Sequence, residues 1–188
     1  NIYASFSVAN KEPGRDDYVN IETGSLPKPE RLNNLEAGYR FKKSNLTAGI
    51  NVYGMWYNNQ LVVTGKINDV GEYYRQNVAK SYRVGAELDL TYQFNNQFSL
   101  LANAAFSRNK INAFNEFIDD YDNGGQIVNN YKNTDISFSP NAVVSGELIY
   151  TPIKSFAIAL QSKYVGKQYL DNTQNNARKL NAYRINNA

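Results

Sequence analysis

Residues 81–94 of this chain read Ser-Tyr-Arg-Val-Gly-Ala-Glu-Leu-Asp-Leu-Thr-Tyr-Gln-Phe, and this stretch decides the fold. Its even positions, from Tyr82 to Phe94, are all apolar or aromatic, and its odd positions, from Ser81 to Gln93, are all polar or glycine. A period of two predicts a β-strand with one apolar and one polar face. At about 3.3 Å per residue the stretch spans roughly 46 Å, or about 32 Å when it is tilted near 45°. A strand of a soluble protein usually has five or six residues, so this strand is long enough to cross a membrane.

The composition allows either a membrane barrel or a large soluble β-sheet protein. Of the 188 residues 42% are hydrophobic, and the mean hydropathy is −0.57. No run approaches the roughly 18 consecutive apolar residues that a transmembrane helix needs. Strands of a membrane barrel escape that test, because every second residue faces the interior and lowers the average.

Charge and residue usage exclude several classes of function. The 20 basic and 17 acidic residues give a net charge of +3, too balanced to indicate a nucleic-acid partner. The chain has no Cys, which excludes a disulfide framework and a thiolate site. It has no His, so it lacks the commonest general base and the usual zinc and haem ligand. Both ends fall inside strand patterns, which predicts that the chain is part of a longer protein.

The whole chain divides into eight predicted strands whose connections alternate between long and short. The strands are predicted near residues 1–10, 32–41, 46–57, 81–94, 98–107, 137–150, 156–167 and from 179 onward. The long connections include 58–80, with a hairpin signal at Asn68-Asp69, and 108–135. Outer-membrane barrels show this asymmetry, because their periplasmic turns are short and their external loops long, whereas sandwiches have no reason for it. Aromatic residues crowd the short turns, as an interfacial girdle does: Phe41, Phe94, Phe98, Tyr150 and Phe156.

Several segments resemble the late barrel of TonB-dependent receptors, the outer-membrane uptake transporters. They are YASFSVANKEPGRDDY followed by PKPERLNNLEAGYRF, then NNQLVVTGKINDVGEYYRQNVAKSYRVGAELDLTY, and RKLNAYRINN. The second segment is similar to Bacteroidetes-type siderophore or iron receptors. The resemblance covers nearly all 188 residues and implies an all-β, antiparallel transmembrane barrel, with about eight strands of a 22-stranded barrel present. It implies a partial barrel domain over residues 1–188, without the plug domain and the final strands.

The resemblance also implies the activity and the partners. The whole protein would lie in the outer membrane of a Gram-negative bacterium and import a scarce, large ligand, expected to be a ferric siderophore or similar chelate, powered through TonB by way of the plug region. Outer-membrane lipid and lipopolysaccharide are further expected partners. No cofactor, no nucleic acid and no enzymatic activity is expected.

Two other readings remain open at the level of periodicity. One is a complete eight-stranded barrel that acts as an adhesin or structural envelope protein. The other is a barrel enzyme, which needs a nucleophile beside a base at one rim; the lack of His disfavours it.

Residue types nominate two groups of candidate site residues. Arginine and tyrosine bind anionic, aromatic-rich chelates by bidentate and stacking contacts. The alternative interpretation is that these residues pack loop against loop or contact lipopolysaccharide phosphates. The loop candidates are Arg15, Tyr18, Tyr73, Tyr74, Arg75, Tyr121 and Tyr131. The residues expected to face the lumen are Arg83, Glu87, Asp89, Glu147 and Lys163.

Two carboxylate clusters resemble a calcium site and a catalytic acid pair, but their surroundings disfavour both interpretations. The run from Asp119 to Gly124 fails the EF-hand spacing, since Tyr131 stands where a bidentate Glu belongs. Glu87 and Asp89 form a carboxylate pair of the kind that hydrolyses glycosides, but on a barrel wall near Arg83 a hydrogen-bonded network or a plug contact is expected instead.

Overall fold

The computed structural model describes residues 1–19, 26–67 and 71–188, and for residues 65–67 and 73 it describes the backbone only. The described chain is almost entirely antiparallel β-structure with one short helix. Its elements are β1 (Ile2–Lys11), α1 (Arg15–Val19), β2 (Glu30–Lys43), β3 (Leu46–Ile67), β4 (Tyr73–Gln93), β5 (Phe98–Asp119), β6 (Gln126–Asp135), β7 (Ala142–Ile153), β8 (Phe156–Val165), β9 (Gln168–Tyr169), β10 (Lys179–Leu180) and β11 (Tyr183–Asn187). No helix among the described residues is long and apolar enough to cross a membrane.

One large sheet contains nine of these strands in the order β1-β2-β3-β4-β5-β7-β8-β11, and β6 also pairs with β5. Consecutive strands are neighbours, as hairpins dictate. β5 is long enough to carry β7 along its first half, at Phe98–Phe106, and β6 along its second half, at Lys110–Asp119. β6 and β7 therefore act as one strand that is interrupted at residues 136–141. The edge strands β1 and β11 do not pair with each other in the described sheet.

The register sorts side chains cleanly onto two faces, because every ladder keeps the alternation of its strands. One cross-strand row on the apolar face runs Ile2, Tyr39, Ile50, Leu88, Ala104, Val144 and Tyr164. The adjacent row on the polar face runs Tyr3, Gly38, Asn51, Glu87, Ala105 and Val143. The prediction of long antiparallel strands with one face of each kind is confirmed.

Two predicted long connections are wrong in extent, because the strands continue through them. β3 reaches Ile67 and β4 begins at Tyr73, and the Ile67–Tyr73 pair closes their hairpin; the Asn68-Asp69 signal itself lies outside the described residues. β5 reaches Asp119 and pairs with β6 across the region predicted as a loop. Extension satisfies backbone hydrogen bonds that a twenty-residue loop would leave to water.

The predicted sixth strand, residues 137–150, is also wrong at its start. Its regular ladder begins at Ala142, because Phe138 has φ 52° and Pro140 has no N–H to donate. Residues 136–141 thus form the break between β6 and β7.

The described residues form only a small apolar core, and it lies at the outer ends of the strands, away from the short turns. Val62, Val78, Ile111, Phe114 and Ile136 make this cluster, with Tyr131 packed against it. Elsewhere no described part of the chain covers the apolar face, and its side chains are exposed; Phe6 is 66% and Leu160 55% exposed. A contiguous exposed apolar face of this size marks a surface built to contact lipid or another apolar surface.

Aromatic rings pack in pairs at the short-turn end of the apolar face. Phe98 stacks on Tyr150 with ring centroids 4.4 Å apart, and Phe94 meets Tyr92 edge-on at 4.8 Å. Paired rings at the ends of membrane-length strands fit the interface between acyl chains and headgroups.

Candidate functional site

A chain of hydrogen bonds crosses the polar face in the middle of the sheet. The Tyr3 hydroxyl donates to Asn51 Oδ1 at 2.9 Å, and Asn51 Nδ2 donates to Glu87 Oε2 at 3.4 Å. Next to it, Arg40 lies 3.6 Å from Asp89. These contacts join β1 to β4 because the register sets their side chains in neighbouring rows.

All five residues predicted to line a lumen lie on this polar face. Arg83, Glu87 and Asp89 alternate along β4, while Glu147 and Lys163 occupy equivalent rows of β7 and β8. Glu87 bonds with Asn51 and Asp89 pairs with Arg40, so each carboxylate already has its own partner on a neighbouring strand. This arrangement is a wall network rather than an acid–base pair aimed at one substrate atom.

The break between β6 and β7 lies over the polar face. Arg83 Nη1 donates to Ser139 Oγ at 2.9 Å, and the Phe138 N–H donates to the Tyr169 carbonyl at 2.9 Å. Phe138, Ser139 and Pro140 line a depression together with Arg83 and other polar-face residues. The interruption therefore narrows the space above the polar face.

A second depression lies nearer the outer end of the polar face, and the described residues that line it include three cations and no carboxylate. Lys11, Arg75 and Arg83 contribute the charges, and Ser137 and Asn172 contribute polar groups. Outside the lining, Lys11 pairs with Glu30 at 3.3 Å and Arg75 with Asp17 at 2.9 Å, whereas Arg83 hydrogen-bonds the neutral side chains of Ser139 and Tyr57. A surface of this kind suits an anionic group.

Asp17 fixes helix α1 to the start of β4. The Gly14 N–H donates to Asp17 Oδ2 at 2.8 Å, and Arg75 Nη1 donates to Oδ1 at 2.9 Å. Burial raises the pKa of Asp17, but the hydrogen bonds from Gly14 and Arg75 outweigh it, so that the net pKa is lowered. The carboxylate is therefore held ionised beside the cationic depression.

The loop between β9 and β10 is tied to the β5–β6 hairpin by one arginine. Arg178 Nη1 lies 2.9 Å from Asp171 Oδ2 and 3.3 Å from Glu116 Oε1. The Tyr131 hydroxyl donates to Glu116 Oε2 at 3.0 Å. Burial raises the pKa of Tyr131, and its bond to Glu116 raises it further. We call this group, Glu116, Tyr131, Asp171 and Arg178, the arginine latch.

Asn172 gives the same loop a second attachment. Its side chain is almost fully buried; Nδ2 donates to the Val63 carbonyl at 2.9 Å, and Oδ1 accepts from the Ser137 N–H at 2.8 Å. The loop thus joins β3, the β6–β7 break and the outer hairpin.

The predicted loop candidates fall into two groups in space. Arg15 and Tyr18 lie on α1, which the Asp17–Arg75 pair connects to β4, where Tyr74 also lies. Tyr121 is 92% exposed at the tip of the β5–β6 hairpin. Tyr131 lies lower on the same hairpin, against Phe114 and Glu116. The remaining candidate, Tyr73, begins β4, and its side chain lies outside the described residues.

The acidic run at the hairpin tip builds a turn. Asp120 Oδ1 accepts from the N–H groups of Asp122 and Asn123, both at 3.1 Å, and Gly124 and Gly125 have φ of 76° and 84°. A hydrogen bond from Asn123 Nδ2 to Asp120 Oδ2 at 3.1 Å, together with these backbone hydrogen bonds, lowers the pKa of Asp120. Among the described residues, no three His, Cys, Asp or Glu side chains converge as a metal site would require.

Sequence reasoning missed Lys11, Ser139, Asn172 and Arg178 as members of the site. Arg178 and Glu116 are separated by 62 residues, and Arg83 and Ser139 by 56. The only available signal was the polar composition of the 171–178 segment, which is shared by ordinary solvated loops.

Comparisons with known proteins agree on the fold. A family model described as TonB dependent receptor-like, beta-barrel, matches residues 1–188. The chain is similar in structure to the copper transporter OprC, with a TM-score of 0.72 and 16% identity over 98% of this chain and 27% of that one. A sequence comparison with curated proteins finds no match.

Two siderophore receptors also match. The ferric enterobactin receptor PfeA of Pseudomonas aeruginosa, in a mutant form, gives a TM-score of 0.65 at 16% identity over 98% of this chain and 29% of that one. The siderophore receptor PiuA of Acinetobacter baumannii gives 0.67 at 16% identity, over 98% and 26%. The chain therefore spans between a quarter and a third of the length of these structures.

An arc of a larger transmembrane barrel requires open edges, strands of membrane length, and one apolar and one polar face. It also requires long connections at one end and short turns at the other. The family of this model consists of transport receptors rather than enzymes. A protein that belongs to it is expected to lie in the outer membrane of a Gram-negative cell. Since the family model covers all of residues 1–188, this chain belongs to the TonB-dependent receptors and forms part of their β-barrel.

Proposed function

We propose that this chain forms part of the wall of an outer-membrane receptor that binds a ferric siderophore or similar anionic chelate and imports it with energy from TonB. The observation that carries the proposal is the depression lined by Lys11, Arg75 and Arg83 on the polar face of a barrel of this family. The polar face lines the lumen, so that Arg83, Glu87, Asp89, Glu147 and Lys163 border the path of the ligand. The outer candidates Arg15, Tyr18, Tyr73, Tyr74, Arg75, Tyr121 and Tyr131 supply first contacts.

Residue chemistry favours a chelate over a bare metal ion at this part of the wall. Copper prefers thiolate, thioether and imidazole ligands, and the chain has no Cys, no His and one Met. Arginine and lysine instead suit the carboxylate, catecholate or hydroxamate oxygens that a chelate carries. Two of the similar structures are siderophore receptors by their names, which supports the same choice.

Binding by the full-length receptor tests the proposal. Purified receptor is titrated with ferric complexes of a catecholate, a hydroxamate and a carboxylate siderophore, and with Cu²⁺ alone. Arg83→Gln is expected to weaken binding of the recognised chelate about tenfold or more, because it removes a charge-assisted contact. Lys42→Gln, at the short-turn end of the same face, serves as the matched control and keeps the original affinity.

Uptake of the same chelate as a radiolabelled iron complex is then followed in cells with and without TonB. Uptake that stops without TonB supports the proposal. Binding of Cu²⁺ alone, with none of the three chelates bound, contradicts it.

A complete small barrel that acts as an adhesin is the second candidate. The matched structures, of which this chain spans 26–29%, favour the larger barrel. A receptor-sized protein in outer membranes, detected with an antibody against a peptide of this chain, separates the two.

A further inference from the structure

The tip of the β5–β6 hairpin carries Asn123-Gly124, the only Asn-Gly pair in the sequence. In such a pair the backbone nitrogen of the second residue can attack the side-chain amide carbon of the asparagine. Glycine permits this attack better than any other residue, because it has no Cβ to hinder the approach. Asn123 is exposed in the turn between β5 and β6, so that water has access to the reacting groups.

Asp120 holds both groups that would react. The Gly124 N–H, which contains the attacking nitrogen, donates to the Asp120 backbone carbonyl at 2.8 Å. The Asn123 side-chain amide donates from Nδ2 to Asp120 Oδ2 at 3.1 Å, and the Asn123 backbone N–H donates to Asp120 Oδ1 at 3.1 Å. One residue therefore restrains the attacking nitrogen and the amide that it would attack.

Hydrogen bonds within the turn, rather than packing against it, keep the tip closed. A Cβ added to Gly124 or Gly125 would have no neighbouring atom of the described residues within 4 Å. Tyr121, at the same tip, is almost fully exposed. With so little packing, loss of the bonds to Asp120 lets the turn open locally without unfolding the strands below it.

The bonds to Asp120 oppose the reaction. The Gly124 nitrogen becomes a nucleophile only when its N–H loses the proton, and a proton that is shared with a carbonyl oxygen is held more firmly. The two bonds from Asn123 restrict the rotations of its side chain and backbone that ring closure requires. These bonds to a charged group have to break first, so that reaction is expected from the open turn.

We propose that Asn123 is a site of spontaneous deamidation and that Asp120 limits its rate. The Gly124 nitrogen gives up its proton and bonds to Asn123 Cγ, the Cγ–Nδ2 bond breaks, and the amide nitrogen leaves as ammonia. Water then opens the cyclic imide at either carbonyl and yields aspartate or isoaspartate, with no oxidation or reduction. The proposal goes beyond the proposed function and does not rest on it.

The product is anionic at a position where the turn uses a hydrogen-bond donor. A carboxylate at position 123 cannot donate to Asp120 Oδ2, and it adds a negative charge beside Asp119, Asp120 and Asp122. Like charges at this separation repel each other, and isoaspartate also lengthens the backbone by a methylene group. Deamidation therefore opens the tip of the hairpin irreversibly.

Peptide mapping of the full-length receptor in detergent micelles tests this site. The receptor is incubated in mildly alkaline buffer, and mass spectrometry of its digest follows the aspartate and isoaspartate forms at position 123. A synthetic peptide of residues 117–129 gives the rate without the folded turn, and the receptor is expected to react at least about tenfold more slowly. Asp120→Ala is expected to react at least about tenfold faster than the unchanged receptor, because it loses the bonds to Oδ1 and Oδ2.

Asp122→Ala is the matched control, because it removes the same charge from the same turn and leaves the acceptor of the Asn123 amide in place. Its rate is expected to stay within about twofold of the unchanged receptor. Asn123→Gln is expected to convert far more slowly, since its longer side chain has to close a larger ring. A receptor that reacts as fast as the peptide overturns the proposal, and so do equal rates for Asp120→Ala and Asp122→Ala. The heat-modifiable band of each variant in gels verifies that its barrel is folded.

Discussion

At the scale of single residues, Arg178 shows how an exposed side chain organises a loop. Its own side chain is 52% exposed, while the carboxylates that it joins, Asp171 and Glu116, are only 12% and 10% exposed. A carboxylate so shielded from water needs hydrogen-bond donors, and Asp171 obtains them from Arg178 and from the N–H and hydroxyl of Thr173. Loss of the arginine therefore leaves two carboxylates short of partners.

The latch is expected to open in acid. Burial raises the pKa of Asp171, but the bonds from Thr173 and Arg178 lower it more, so that the net pKa lies below 3.8. Stability from a lowered pKa is complete above 3.8 and is lost as the pH falls through the lowered value. Amide exchange of residues 170–178, corrected for intrinsic rates, is expected to change little from pH 7 to 5 and to accelerate as the pH falls below 3.8.

The variant Asp171→Asn is expected to show faster exchange at pH 7 and a smaller response to acid. Asp122→Asn, at the exposed hairpin tip, is the control and keeps the original profile. Identical acid profiles for Asp171→Asn and the unchanged protein would show that another group opens the loop.

At the scale of elements, β4 depends on a glycine at a crowded point. A Cβ added to Gly85 would lie 2.6 Å from the Phe106 carbonyl oxygen and 2.7 Å from the Tyr53 hydroxyl. The first of these atoms belongs to the backbone of β5 and cannot turn away. Gly146 on β7 is different, because its nearest atom, the Leu101 carbonyl oxygen, would be 3.9 Å away.

Gly85→Ala is accordingly expected to destabilise the barrel by about 1–3 kcal/mol, the usual cost of overpacking. The midpoint of thermal unfolding in detergent, followed by the shift of the folded band in gels, measures it. Gly146→Ala provides the matched control and is expected to leave the midpoint nearly unchanged. Equal midpoints for both variants would mean that β4 and β5 separate to accept the methyl group.

At the scale of the whole molecule, the two faces define opposite environments for neighbouring residues. Leu88 and Glu87 are adjacent in β4, yet Leu88 lies in the apolar row and Glu87 in the polar network. Leu88 lies roughly five residues from the short-turn end of the strand, about 12 Å in height, near the middle of the apolar belt.

Leu88→Lys is expected to cost about 2–4 kcal/mol, the penalty for lysine on the lipid face at the membrane midplane. Glu87→Lys, at the same depth on the other face, is expected to assemble normally. The amount of folded, heat-modifiable receptor in outer membranes measures both. Normal assembly of Leu88→Lys combined with failure of Glu87→Lys would reverse the assignment of the faces.

Strand number, faces and short turns followed from the sequence because they depend on local alternation. The pattern of Ser81–Phe94 predicts β4 within one residue at its inner end, and the turns near Asn45, Asn96 and Lys154 lie where predicted. The outer halves of β3, β4 and β5 were missed because alternation weakens once both faces meet protein or water. Val62 and Val78, for example, are buried in the small apolar core rather than exposed on the apolar belt.

The sequence by itself determined that this chain consists of antiparallel strands with an apolar and a polar face, since period-two alternation is a local property that each strand carries alone. Only the tertiary structure decided which side chains meet. The arginine latch, the depression of Lys11, Arg75 and Arg83, and the β6–β7 break over the polar face each join residues far apart in the chain. Their positions depend on strand register and loop packing, which act between segments and leave no periodic trace in any one of them.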